Sequence, residues 1–352
     1  MNRTELQNDF YKRFSVSTHN LIFSKSGLLC TLLGHSEIKN SRFISCTLSM
    51  CIQIAGRRLD SNTVKLENTQ SGVCTVFRLN DLLSVKKTLY DIISEFNNIH
   101  PFGAELLYNS TIPQCFAQYA PLRITVLNTL LKLAEIESSD EKKVLICAGD
   151  SNPAPYAAML SSKKGWCTLT QGTESKNLPL PLTGYRLLSV QTNAKHSGRR
   201  TSAVEKTFNT LHRIYPHVTA MDDLSFDMLD YAKSHLKHTE MNYMRHIISE
   251  NERINATEAC LKACRIREFA DIINSSQRSI ERLWGCCDEH SFLIDTILEA
   301  NSCLCARQWK NGIIAIVSEE SLDNTINILR RSFNDAYGYN PIFCIADTCS
   351  TE

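Results

Sequence analysis

The chain has 352 residues, of which 43% are hydrophobic, and its 38 Lys and Arg balance 37 Asp and Glu to a formal net charge of +1. That length buries a large core and predicts two lobes, while the near-neutral balance gives no whole-molecule field for nucleic acid or an anionic membrane. No apolar run approaches the roughly 18 to 20 residues of a membrane span, and the polar start Met1–Phe10 lacks the apolar centre of a signal peptide, so a cytoplasmic protein is expected.

In chain order, Leu28–Leu33 is an apolar strand ending at Gly34, and Arg42–Ile54, β-branched and partly alternating, is a second. Val64–Glu67 and Val73–Phe77 read as further antiparallel strands between Ser, Asn and Gly turns. The apolar spacing of Leu82, Leu83, Leu89, Ile92 and Ile93 predicts a helix over Asp81–Phe96, and Gly103–Tyr108 returns as a strand. Pro121 fits the first turn of a helix through Leu133, where its missing N–H costs nothing.

Asn177–Gly184 reads as an extended, proline-bearing connector, followed by a strand at Tyr185. Beyond it, Asp222–Leu236, Glu240–Ala263, Arg267–Leu283 and Ser291–Ala300 carry helical periodicity. A strand at Gly312–Val317 follows, then a helix from Glu319 to about Ala336 with Ser318 placed as its cap, and a last strand at Pro341–Ala346. The layout is α+β, sheets covered by segregated helices.

The fifteen cysteines are irregularly spaced: Cys260 and Cys264 are four apart, Cys286 and Cys287 adjacent, and Cys303 and Cys305 flank one residue. None repeats the paired spacing of a zinc site, which points to reduced thiols and no metal. His235 and His238, read as sharing a helical face, lack a third ligand and are expected to be surface residues.

Five stretches carry a resemblance. Leu187–Arg200 runs from an apolar strand into a turn with Asn193, Lys195 and His196 and then a basic helix start. It looks like the "TNxxxxHS" stretch of galactokinases, members of the GHMP small-molecule kinase superfamily. Leu32-Leu-Gly-His35, with Asn40 following, resembles that family's "RVNLIGEHTDYNGG"; Gly103–Pro113 resembles the strand into its phosphate loop. Pro155–Leu160 with Lys164-Gly165 resembles "DQFxSLxGxxG", and Arg245–Arg253 resembles "RHVVSENERV". The resemblance implies a two-lobed GHMP-kinase-like fold, with a mixed-sheet N-terminal domain over residues 1–184 and a helix-rich α/β C-terminal domain over 185–352. It also implies His35 and Asn40 as sugar-binding residues, Lys195 and Gly312 as nucleotide-binding residues, and a small-molecule sugar or nucleotide as partner.

The same comparison sets out departures. Where the family has "PLGAGLSSSAA" as its cradle of backbone N–H groups for phosphate, this chain reads Pro113–Arg123 with no glycine and with Phe116 and Tyr119. Ungapped through Gly34, the family's Glu, His and Asp become His35, Ser36 and Ile38, and its Arg becomes Leu29. A one-residue deletion puts His35 on the family histidine. The tyrosine expected after Lys195-His196 is Ala203, and of "GARMTGGGFGGC" only Gly312 is kept in Ser302–Ile313, with Trp309 and Lys310 beside it.

The family's catalytic aspartate falls on Ala154, leaving no catalytic residue in place; Asp150, four residues upstream, is the one nearby carboxylate. These departures imply a galactokinase-like protein that has lost ATP-dependent sugar phosphorylation and serves as a sugar or nucleotide binder or regulator. The alternative is an active sugar kinase, taking ATP and Mg2+ as cofactors and forming galactose 1-phosphate, with Asp150 as base and Lys195 or Lys310 supplying charge to phosphate. A third reading is an interaction protein that binds no small ligand.

Overall fold

The computed structural model describes residues 2–15, 20–78, 89, 92–93, 102–194, 199–300 and 302–352. The chain falls into two compact units: Met1–Leu29, Thr47–Ser161 and Cys349–Glu352 in one, Cys30–Cys46 and Ser162–Thr348 in the other. Two long strands, β1 (Ile22–Gly34) and β2 (Arg42–Leu59), pair with each other and contribute residues to both units.

In the first unit, β2 pairs antiparallel with β5 (Gly103–Ser110), Ile52 lying opposite Ser110. β5 runs parallel to β3 (Thr63–Asn68), so the antiparallel expectation holds for β3 with β4 (Cys74–Arg78) but not for β3 with β5. An N-terminal helix α1 (Arg3–Phe14), capped by Asn2, turns Leu6 and Phe10 onto Ala55 and Leu107. Helix α2 (Tyr119–Leu133) is buried nearly all round, with Pro121 as its third residue. It approaches β2 at Gly56, where a Cβ would stand 2.8 Å from the Thr129 methyl. Two shorter helices, α3 (Asp140–Ala148) and α4 (Ala154–Leu160), complete the unit. The helix predicted over Asp81–Phe96 lies outside the described residues except at Leu89, Ile92 and Ile93, which are helical.

In the second unit, Arg42–Ser45 of β2 pair with β6 (Trp166–Gln171), and β6 pairs with β7 (Glu174–Pro179). The predicted connector at Asn177 is therefore partly strand: Asn177 and Leu178 face Thr168 and Cys167 in the ladder. A separate antiparallel sheet runs in the order β11 (Ile342–Ala346), β8 (Tyr185–Gln191), β10 (Gly312–Ser318), β9 (Cys303–Trp309). Its inner face packs Leu188, Val190, Ile313 and Ala315 against α9 (Asp288–Glu299) and α10 (Leu322–Tyr337). A 3-10 turn, Glu319–Ser321, precedes α10, and Ser318 ends β10 with extended backbone instead of capping a helix through its side chain.

The remaining helices of this unit are α5 (Arg199–Ile214), α6 (Phe226–Tyr231), α7 (His238–Lys262) and α8 (Ile266–Ser279), the last running into a π-turn at Ile280–Trp284. The single helix expected over Asp222–Leu236 is broken: Leu224 is extended, and Ser225 starts α6 by accepting the Met228 N–H. His235 ends a 3-10 turn while His238 opens α7, with extended residues between, so they share no helix face. Helix α8 protects the sheet edge at β9: Asn274 bonds the Leu304 carbonyl and the Ala306 N–H, and Gln277 takes the Gln308 N–H. Among the described residues no helix is long and apolar enough to cross a membrane.

Candidate functional site

A dense polar cluster lies within the second unit, where the end of β1 meets α7, α8 and β9. Gly34 has φ +72°, and a Cβ there would stand 2.4 Å from the Arg42 carbonyl oxygen, so the sharp exit from β1 requires glycine. The following turn is pinned by Ile38, fully buried in the apolar cluster of α5 and α7. His35 and Glu37 flank this anchor by three residues and one.

Helix α7 presents His246 and Glu250, four residues apart and hence on one face. Apolar neighbours Ile247, Ile248 and Ile254 bury that side of the helix and carry the two polar groups inside with them. Glu250 is met by four donors: the Gly34 N–H at 2.9 Å, the Ser276 hydroxyl at 2.9 Å, Arg253 at 2.8 Å and Arg307 at 3.3 Å. Arg307 also donates to Ser276 Oγ and to the Gly34 carbonyl. It reaches this cluster because strand residues alternate: Ala306 joins the apolar face, and Arg307 turns to the other. Burial alone would push the Glu250 carboxyl up; the guanidinium groups of Arg307 and Arg253 outweigh it and hold the group at about 2.

Above this ionic knot runs a chain of single hydrogen bonds. Ser279 Oγ lies 2.8 Å from His246 Nδ1, His246 Nε2 lies 2.9 Å from His35 Nε2, and His35 Nδ1 lies 2.9 Å from Glu37 Oε1. Trp284 stacks against His35 with ring centroids 4.2 Å apart and touches His246 at 5.2 Å. Both imidazoles are buried, whereas 53% of the Glu37 side chain is accessible. Burial drives His246 well below the ordinary imidazole range, so it is neutral at neutral pH. At Glu37 the crowded surroundings act to raise the carboxyl, but the charge and hydrogen bond of His35 prevail and lower it. The arrangement presents one ionised, solvent-facing carboxylate on a fixed imidazole. Chemically it is an acceptor for hydroxyl donors.

The sequence-predicted residues divide around this centre. His35 is in it. Asn40 is on the same turn, exposed, with φ +60°, and its carbonyl accepts the Met221 N–H. Lys195 lies outside the described residues; just before it, the Asn193 N–H donates to the Tyr339 hydroxyl, which in turn bonds Glu289. Gly312 opens β10 opposite Gln191 and Trp309, where a Cβ would stand 1.9 Å from the Val190 carbonyl oxygen. Lys310 forms the hairpin turn with φ +53°, its ammonium over the buried Trp309 ring.

Within the first unit, Ala154 is 2% exposed at the start of α4, its N–H bonded to the Asn152 side chain. Asp150 is exposed in the turn after α3. The loop before α2 is closed on itself. Its Phe116 N–H donates to the Pro113 carbonyl, the Gln118 amide donates to the Ile112 carbonyl, and the Phe116 ring is 3% exposed. The N-cap residue of α2, Gln118, makes no side-chain cap.

Sequence reasoning missed Glu37, His246, Glu250, Ser279 and Arg307. Three of them were within reach: the one-residue deletion that sets His35 on the family histidine also brings Glu37 to the position of the family's aspartate, and His246 and Glu250 lie within the nine-residue resemblance at Arg245–Arg253.

Known proteins bear on this geometry. No protein-family model matches the chain. The crystal structure of Lactococcus lactis galactokinase complexed with galactose superposes with a TM-score of 0.87 at 17% identity, covering 99% of each chain. Methanococcus jannaschii mevalonate kinase follows the same fold at a TM-score of 0.66 and 12% identity, covering 95% of this chain and 99% of its own. The fold is thus that of the GHMP superfamily, a mixed sheet with segregated helices. In sequence, the galactokinase of Clostridium tetani is 21% identical over 379 residues, 97% of this chain and 95% of that protein. In sequence the chain is thus similar to galactokinases along nearly its whole length.

Proposed function

We propose that this protein binds a sugar of the galactose class at the His35–Glu37 turn and no longer transfers phosphate to it. The sugar is supported by a relative of the same fold that holds galactose and by the accessible Glu37 carboxylate, a natural partner for hydroxyl groups. The observation that carries the loss of transfer is Ala154, a buried methyl where the family's resemblance puts the proton acceptor. The loop before α2 supports it: a triphosphate with Mg2+ wants free backbone N–H groups, and this loop offers a buried phenyl ring and a turn bonded to itself. These residues do not fit the nucleotide. A binder or regulator that responds to sugar is a role that such a scaffold supports.

The test is an assay of the full chain with galactose and ATP-Mg2+. No sugar phosphate is expected, and turnover above about 1 per second would overturn the proposal. Galactose at 100 times its dissociation constant is expected to stabilise the fold by about 2.7 kcal/mol in thermal unfolding. Flat melting curves with sugars, ATP and ADP would favour an interaction protein without a small ligand.

A second reading, ATP-dependent galactokinase activity, is favoured by one observation: curated galactokinases align along nearly the whole chain. It requires a base other than Ala154, and Asp150 is the carboxylate to test. Abolished turnover in Asp150→Asn, with an unchanged melting curve, would establish it.

A further inference from the structure

The chain from Ser279 to Glu37 has a property that no single bond in it reveals. An ionised carboxylate can only accept, so His35 Nδ1 must carry a proton toward Glu37. Two imidazole nitrogens facing each other at 2.9 Å must share one proton between them. With His246 neutral, two orders are consistent with the three contacts that join Ser279, His246, His35 and Glu37. In the first, the Ser279 hydroxyl donates to His246 Nδ1, His246 Nε2–H donates to His35 Nε2, and neutral His35 donates to Glu37. In the second, one proton more is held: His35 is an imidazolium donating at both ends, His246 carries its proton on Nδ1, and Ser279 accepts it. The ledger is one proton from solvent, with His246 neutral throughout and its tautomer reversed.

We propose that His246 and Ser279 are positioning residues that set the proton occupancy of His35, and through it the charge that Glu37 presents to a ligand hydroxyl. In the first order Glu37 is a full anion; in the second it is half of an ion pair. A hydroxyl-rich ligand therefore binds the first order more tightly, and binding weakens in acid. This last step rests on the sugar-binding reading; the tautomer exchange does not. The charged groups that bear on the chain are Glu250 and Arg253 from α7 and Arg307 from β9. Glu250 pairs with both guanidinium groups and, together with Arg307, holds the Gly34 backbone. Tyr243, packed on the far side of Trp284 with centroids 5.3 Å apart, completes the surroundings.

Nitrogen-15 NMR of the full chain labelled at histidine, recorded from pH 8 to pH 5, reads the tautomers directly. His246 is expected to move from Nε2–H to Nδ1–H with the same midpoint as His35 protonation. A His246 that keeps one tautomer, or that itself becomes an imidazolium, would overturn the proposal. Ser279→Ala spares both rings and removes the partner of His246 Nδ1; it is expected to uncouple the His246 tautomer from pH, and a tautomer exchange that persists unchanged counts against the relay. Galactose titrated by calorimetry over the same range separates the two ideas. Tautomer exchange without galactose binding leaves the relay standing and removes the sugar reading, whereas galactose binding with a fixed His246 tautomer does the reverse.

Discussion

Glu250 and Arg307 take hold of Gly34 from opposite ends: the carboxylate accepts the Gly34 N–H at 2.9 Å, and the guanidinium donates to the Gly34 carbonyl at 3.0 Å. The two charges stand 3.3 Å apart, both nearly inaccessible. Together they fix the residue from which the His35–Glu37 turn departs. Removing one member strands the other. Glu250→Ala is expected to cost about 3–5 kcal/mol in urea unfolding, most of it from leaving the guanidinium of Arg307 buried without its carboxylate. A loss below about 1 kcal/mol would show that the knot does not order this turn.

The same carboxylate sets an acid limit. Its folded-state value of about 2 lies below the unfolded glutamate value near 4.3. A depressed carboxyl contributes stability above its unfolded value and loses it as pH falls toward the folded one. Stability is therefore expected to drop between about pH 4.5 and 2, by on the order of 3 kcal/mol from this group. Denaturant midpoints measured across that window check it, and Glu250→Gln should flatten the slope.

Gly312 is needed for packing, whatever its ancestry. A Cβ would fall 1.9 Å from the Val190 carbonyl oxygen and 2.7 Å from Gln191 Cα, both backbone atoms of the paired strand β8. Gly312→Ala should destabilise the fold by about 1–3 kcal/mol or more in thermal unfolding. A neutral substitution would mean that β8 and β10 separate there without cost.

Phe116 is expected to serve the core, not a ligand. Truncation to Ala should cost about 3–5 kcal/mol, and Phe116→Gly should lower the melting temperature without raising any affinity for ATP, read by calorimetry. An ATP-binding Phe116→Gly variant would show that this ring alone closes the loop.

Trp284 reports on His35, since the rings lie 4.2 Å apart. An imidazolium in such contact quenches indole emission, so fluorescence should fall as His35 gains its proton. The acid-dependent change should vanish in Trp284→Phe, with Trp166 and Trp309 still present. A change that persists in that variant would place its origin elsewhere.

Elements with strong local pattern were legible. The strands at Leu28–Leu33, Arg42–Ile54 and Gly312–Val317 and the helix through Arg245–Arg253 stand where periodicity and resemblance put them. The failures have local causes too. Glu174–Pro179 contains a proline and polar residues, yet pairs with β6 because a partner strand supplies the hydrogen bonds its own sequence does not advertise. Asp222–Leu236 kept helical spacing across a serine that caps a new helix. In the site, the pairing of Glu250 with Arg307 leaves no local sequence signal, since the two lie far apart along the chain.

The sequence by itself carried the galactokinase resemblance, the glycine-free stretch before α2 and the alanine at position 154, because those are residue identities and need no third dimension. Only the tertiary structure decided that His35, Glu37, His246 and Ser279 form one hydrogen-bonded line over a charged knot. Residues 211 apart along the chain come within 2.9 Å there, and such a meeting is set by packing of β1 against α7, which leaves no trace in local periodicity.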